Sequence, residues 1–384
     1  MDRPAHRLAT LATVTCAALA IGASAASARA PAPPPAPQAP ATSALQRDVD
    51  HAVAAGVPGV VALVRDHGRT IRLTGGYADR RTKSPMRPSD RFRVGSITKT
   101  FVATVVLQLA GEGRLSLDDT VEHWLPGEVP SGAAITVRQL LTMTSGLYDY
   151  IDGGDDTVLR RELADPGVRW APADLVAIAA AHAPRFAPGT SWAYSNTNYI
   201  LLGQIVERAA GQPIDALLRA RVFAPAGLRA TSFETGPRIA GRHAHGYDRL
   251  GGDAVRDVSV LDQTWAWTAG AIVSNADDVG RLYRALLDGR LLRADLLQTM
   301  QTTVPMGGST PRGYGYGAGL YSQPMPCGTA WGHTGSTPGY LASAFSSRTA
   351  TRQVVLLING GEQAQPARAG AAMQRLLVDA YCGG

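Results

Sequence analysis

Ser96-Ile97-Thr98-Lys99 sets a hydroxyl and an amine three residues apart, a spacing that places both on one face of a helix. An amine there can take the serine proton, and the positive end of the helix favours a neutral lysine and a developing alkoxide. Taken alone, Ser-x-x-Lys is usually a chance surface pair. Composition sharpens it: of the 37 Lys and Arg residues, only Lys83 and Lys99 are lysine. Arginine does not surrender its proton near neutral pH, whereas a desolvated lysine does, so Lys99 is the kind of cation that proton transfer requires.

Two further constellations follow it. Tyr194-Ser195-Asn196 sits on a turn after Pro188 and Gly189; a phenol beside a lysine can shuttle protons and an asparagine can bind a substrate amide. His333-Thr334-Gly335-Ser336, flanked by Gly332 and Gly339, ends a strand. Gly335 lets a substrate backbone lie along the strand edge, Thr334 can bond a carboxylate, and the Ser336 amide can help hold an oxyanion. Each of these two, read separately, is an ordinary polar or glycine-rich turn. His243-Ala244-His245 lacks a third ligand and reads as surface histidines, so no metal is expected. Asp155-Asp156 and Asp277-Asp278 read as solvated loop or helix-start charges.

The elements that must position these groups are legible as hydrophobic periods. Leu45, Val49, Ala52 and Val53 mark an opening helix, and 60–64 and 71–73 form a hairpin around Asp66-His67-Gly68. Phe101, Val102, Val105, Val106 and Leu109 continue a buried helix from Ser96. Helical segments at 136–142, 171–181 and 198–210 fill the middle. Strands return at 317–320, 330–333, 340–345 and 353–359, and a last helix carries Met373, Leu376, Leu377 and Ala380. This order predicts a sheet made by both termini around a helical insert.

The chain has 384 residues, 45% of them hydrophobic and 18% charged, which predicts a globular protein of about two domain-sized units. Arg3 and Arg7, an uncharged Ala-rich stretch and Ala28-Arg29-Ala30 have the layout of a cleaved export signal over 1–30. A Pro/Ala-rich tether over 31–42 precedes a catalytic part over 43–384. The sheet is expected at about 43–95 and 270–384, and the helices at about 96–269. The mature protein is expected to be secreted, without a membrane anchor, and monomeric. The net charge of +6 comes without a dense basic run, which argues against nucleic acid as a partner. Cys16 departs with the signal, and Cys327 and Cys382 are expected to form a disulfide.

Together, and in this order, the three motifs resemble the serine penicillin-recognising enzymes. Tyr-x-Asn and His-Thr-Gly narrow the likeness to the class C beta-lactamase-related branch, closest to the exported D-alanyl-D-alanine carboxypeptidase/transpeptidase of actinomycetes. Asp90-Arg91-Phe92-Arg93-Val94-Gly95-Ser96, Ile135-Thr136-Val137-Arg138-Gln139, Ser145-Gly146-Leu147-Tyr148-Asp149-Tyr150 and Tyr194-Ser195-Asn196-Thr197-Asn198 carry it, and Trp265 and the cysteine pair also fit. The resemblance implies an α+β fold with a five-stranded antiparallel sheet flanked by helices and an all-helical subdomain. It implies Ser96 as nucleophile, Lys99 and Tyr194 as the proton-transfer pair, and the Ser96 and Ser336 amides as oxyanion hole. Asn196 and His333 to Ser336 would dock substrate, with Trp265 as a wall. The implied activity is acyl transfer on D-Ala-D-Ala peptides, with penicillin acylating the same serine and no cofactor. The alternatives are a beta-lactamase, an esterase or D-amino-acid amidase, and a non-catalytic penicillin-binding sensor. One departure bears on this choice: Tyr321 stands where the carboxypeptidase has an arginine. Thr334, Ser336 and a protonated His333 are then expected to supply part of the carboxylate contact.

Overall fold

The computed structural model describes residues 42–383 apart from 153–157, 159–160, 163–164, 166, 251–253 and 309. The expected signal, its Cys16, the tether up to residue 41 and Asp155-Asp156 lie outside the described residues. Helix α1, Thr42–Ala54, begins at the last residue assigned to the tether and buries Leu45, Val49 and Ala52. Strands β1, Gly59–Asp66, and β2, Arg69–Asp79, follow as a hairpin. His67 and Gly68 both take positive φ at its tip, the pair that a two-residue turn between twisted strands requires.

Seven more strands complete one antiparallel sheet. They are β3 (Ser84–Pro85), β4 (Val304–Pro305), β5 (Gly315–Tyr316), β6 (Tyr321–Met325), β7 (Gly328–Thr337), β8 (Tyr340–Ser346) and β9 (Arg352–Ile358). Their order is β3-β2-β1-β9-β8-β7-β6-β5-β4. The expected α+β class holds, but the sheet has nine strands instead of five. The five long strands β2, β1, β9, β8 and β7 form its centre. The other four are two to five residues long, too short for an alternating pattern to show. The 317–320 segment is also corrected: it is the turn between β5 and β6. Gly319 turns there at positive φ, and a Cβ at that position would come within 2.5 Å of Ala103 and 2.7 Å of the Lys99 carbonyl.

Register explains how both faces of the sheet are covered. Gly75 pairs with Val60 and packs against Val49 of α1, while Leu63, three residues along β1, faces the other side and meets Gly280 of α4, Ala276–Leu287. Helix α5, Ala367–Cys382, packs beside α1. Covered on both sides, β9 reads as a continuous apolar run, Val354 to Ile358. Each such side chain contributes about 2 kcal/mol by leaving water. Cys327, just before β7, forms a disulfide with Cys382 at the end of α5, Cα atoms 5.4 Å apart.

Helix α2, Thr98–Gly111, buries eleven of its fourteen residues. A helix with so little polar surface has to lie inside, and α3, Thr197–Ala210, packs along it. Asp278, expected as a solvated loop or helix-start charge, does stand at the start of α4 but is buried there, where it accepts from the Ala230 amide at 2.6 Å and pairs with Arg281 at 2.5 Å. Among the described residues, no helix is long and apolar enough to cross a membrane.

Candidate active site

Ser96 lies on a single 3-10 turn, Gly95–Ile97, that leads directly into α2. The turn is pressed against β7 by two glycines. Gly95 has φ +51°, and a Cβ there would sit 2.8 Å from the Ser336 backbone; a Cβ on Gly335 would sit 1.9 Å from the Val94 carbonyl and 3.1 Å from the Ser96 nitrogen. Only residues without side chains allow this approach, which sets the Ser96 and Ser336 backbones side by side. β6 pairs with β7 only as far as Gly332, whereas β8 pairs with it on to Thr337. Residues 333–337 therefore offer one edge to the cleft, suited to an extended substrate backbone.

Lys99, the second residue of α2, is fully buried, and its Nζ donates to Ser96 Oγ at 3.0 Å, Asn196 Oδ1 at 2.7 Å and the Ala269 carbonyl at 2.8 Å. Burial lowers its pKa to about 7, and the nearby Asp149 carboxylate opposes that fall. A substantial fraction of Lys99 is therefore an unprotonated amine near neutral pH, able to accept the Ser96 proton. The Tyr194 ring lies 4.9 Å from Nζ. Burial pushes the Tyr194 phenol well above its ordinary range, and its nearness to Ser96 only partly offsets this. Its hydroxyl makes no hydrogen bond of ordinary geometry to the described residues. Of the two, Lys99 is thus the group able to take a proton near neutral pH, and Tyr194 is a neutral phenol with a proton to give.

The His-Thr-Gly-Ser segment divides by strand alternation. Thr334 and Ser336 are exposed on the cleft side, while His333 is 2% exposed. His333 Nδ1 donates to the Thr334 carbonyl, so Nε2 is the acceptor and takes the Tyr316 hydroxyl at 3.1 Å. Burial, with a smaller push from Lys99, lowers its pKa to about 3. The expectation of a protonated His333 holding a carboxylate is therefore corrected: the ring is neutral and bonded to a tyrosine. Tyr321, 8% exposed, donates to Thr334 Oγ1 at 3.2 Å.

Two connected hollows meet at Ser96. The larger, about 950 Å³, is lined by Trp265, Asn196 and four carboxylates, Asp149, Asp152, Asp248 and Glu362. Among the described lining residues the one guanidinium, Arg185, is ion-paired with Asp152. The smaller, about 600 Å³, runs under Trp192, Met306, Tyr314, Tyr316 and Tyr321. Trp265 is held at the cleft wall through its carbonyl, which accepts from Tyr150 at 2.6 Å. His243 and His245 stack on each other away from this cleft, with His245 bonded to Asp257 at 2.7 Å. Among the described residues, no group of three or more metal-binding side chains occurs.

Sequence reasoning assigned no role to Asp149, Trp192, Tyr316 or the Ala269 carbonyl. Asp149 stood in view inside Ser145 to Tyr150, but nothing local in the sequence couples it to residue 196.

The beta-lactamase family profile matches residues 45–379, and the chain belongs to that family of serine hydrolases. The chain is 30% identical over 305 residues to the putative penicillin-binding protein PbpX of Bacillus subtilis, covering 79% of this chain and 71% of that protein. It is 39% identical over 184 residues to esterase EstB of Burkholderia gladioli, covering 46% of this chain and about half of the esterase, 47%. The crystal structure of a D-stereospecific amidohydrolase from Streptomyces sp. superposes with a TM-score of 0.81 at 39% identity, covering 90% of this chain and all of that one.

Proposed function

We propose that this protein hydrolyses amides, and esters, of D-configured amino acids or short peptides with a free amino group, through an acyl-enzyme on Ser96. The observation that carries the reading is the charge of the cleft. Around Ser96 the lining residues described include four carboxylates, of which Asp152 is paired with the one arginine, and an aromatic arm without Lys or Arg. A substrate ending in a free carboxylate would bury its charge without a partner, a cost of several kcal/mol. A substrate ammonium finds counter-charge, and an uncharged leaving group costs nothing of this kind. The likeness to a D-stereospecific amidohydrolase over its whole length supports the stereochemistry.

The steps follow from the geometry. Lys99 takes the Ser96 proton as Oγ attacks the carbonyl carbon, and the new oxyanion lies between the Ser96 and Ser336 amides. The tetrahedral adduct collapses, the carbon–nitrogen bond breaks, and the amine leaves with a proton passed through Lys99 and Tyr194. Water then adds to the ester under the same base, releasing the acid and restoring Ser96. The disulfide and the expected signal support action outside the cytoplasm.

A D-Ala-D-Ala carboxypeptidase is the second reading, favoured by the Thr334 and Ser336 hydroxyls facing the cleft. Parallel assays separate the two: ammonia release from D- and L-amino-acid amides, and D-Ala release from an N-acylated peptide ending in D-Ala-D-Ala. The proposal expects turnover of the D-amide at least about 10²-fold above both others. Faster release of D-Ala would overturn it in favour of the carboxypeptidase.

A further inference from the structure

Asp149 is 3% exposed, on the segment that follows Ser145-Gly146-Leu147-Tyr148. This segment is docked on the start of α3: the Tyr150 amide donates to Thr197 Oγ1 at 3.2 Å, and that hydroxyl donates to the Tyr148 carbonyl at 2.7 Å. Asp149 Oδ2 accepts from Asn196 Nδ2 at 2.9 Å and Oδ1 from the Ile151 amide at 3.3 Å. Asn196 Oδ1 in turn accepts from Lys99 Nζ. A continuous line therefore runs from a buried carboxylate, through one side-chain amide, to the amine that faces Ser96.

An asparagine amide has a donor end and an acceptor end of nearly the same shape, and which end faces a neighbour depends on its partners. A carboxylate only accepts, so Asp149 fixes Nδ2 toward itself and leaves Oδ1 for Lys99. With the amide reversed, its N–H groups would point at the amine and push it from Ser96.

We infer that Asp149 is a positioning residue for acylation: by orienting Asn196 it fixes the acceptor that holds Lys99 against Ser96 Oγ. The inference rests on Lys99 as the base that activates Ser96. The groups facing Lys99 are Ser96 from its own helix, Tyr194 and Asn196 before α3, Tyr199 in α3, the Ala269 carbonyl, His333 from β7, and Asp149. His333 is held neutral and the two phenols are pushed up, which leaves Asp149 as the anion of the set. Burial raises the Asp149 carboxyl above its ordinary range, and hydrogen bonds from Asn196 and Ile151 and the charge of Lys99 offset this only in part. Removing this anion lowers the Lys99 pKa further, so the acid limb of the rate moves to lower pH even as the rate falls.

The test is the burst of p-nitrophenol from p-nitrophenyl acetate across pH, with the acetyl group located by mass, in wild type, Asp149→Asn, Asn196→Ala and the double variant. In Asp149→Asn the acylation rate is expected to fall about tenfold or more, in kcat and not in KM, with the acid limb lower by about one pH unit. Adding Asp149→Asn to Asn196→Ala is expected to cost little more, because both remove one link. An unmoved acid limb, or losses that multiply in the double variant, would overturn the inference. Failure of Asp149→Asn to fold would overturn it too, by making the carboxylate part of the framework. Absence of acetyl on Ser96 in wild type is a different result, and it removes the hydrolase reading itself.

Discussion

Lys99 and His333 are two enclosed basic side chains on elements that meet at Ser96, and the same loss of water leaves them with different uses because they start from different ordinary values. Both lose water, which favours the neutral form of each. Lys99 starts from an ordinary 10.5 and, with the Asp149 carboxylate opposing the fall, is lowered to about 7. His333 has a tyrosine hydroxyl and a carbonyl but no anion, and falls to about 3. Similar burial therefore silences an imidazole at working pH but brings an amine down to it. In the proposed mechanism the helix therefore carries the proton chemistry, and the strand supplies an edge, an amide and packing.

The sharpest way to break this contrast is at Lys99. Lys99→Arg keeps a cation that cannot deprotonate, and kcat/KM is expected to fall by at least about 10⁴-fold with the fold intact by circular dichroism. On the strand side, Gly335→Ala drives a Cβ into the Val94 carbonyl and must part β7 from the Ser96 turn. A fall in kcat of about 10²-fold, with KM changed less, is expected as the oxyanion amides separate. His333→Gln has the smallest effect on turnover and leaves the pH–rate midpoint in place. Its effect appears in stability: a folded-state pKa held below the ordinary 6.5 gives stability that is present above 6.5 and lost as pH falls toward about 3. Urea unfolding of this variant should therefore show a shallower loss of stability over that range, and a shifted pH–rate midpoint would contradict the contrast.

Much of this site is legible in the sequence because its chemistry is tied to residue type and to short spacings. Ser96 and Lys99 fall on one helical face whatever surrounds them, and the scarcity of lysine marks Lys99 in a way that arginine would not. Strand period also tells that His333 and Thr334 point to opposite faces, but not that both line the smaller hollow, beside the edge that β7 leaves free where β6 stops pairing at Gly332. The Asp149–Asn196 contact joins residues 47 apart in sequence and no local pattern encodes it. The five long strands show as apolar alternation or runs, while two-residue strands such as β3 and β5 exist only through pairing. Gly95 shows its purpose only when β7 is packed against it.

The most direct test is the intact mass of the wild-type protein during reaction with a D-amino-acid ester, followed from pH 5 to 9. The expected result is one acyl group, mapped to Ser96, forming faster as pH rises through about 7, where Lys99 loses its proton. An acyl group on another residue, or a rate of Ser96 acylation that does not change across that range, would contradict a serine activated by a buried lysine.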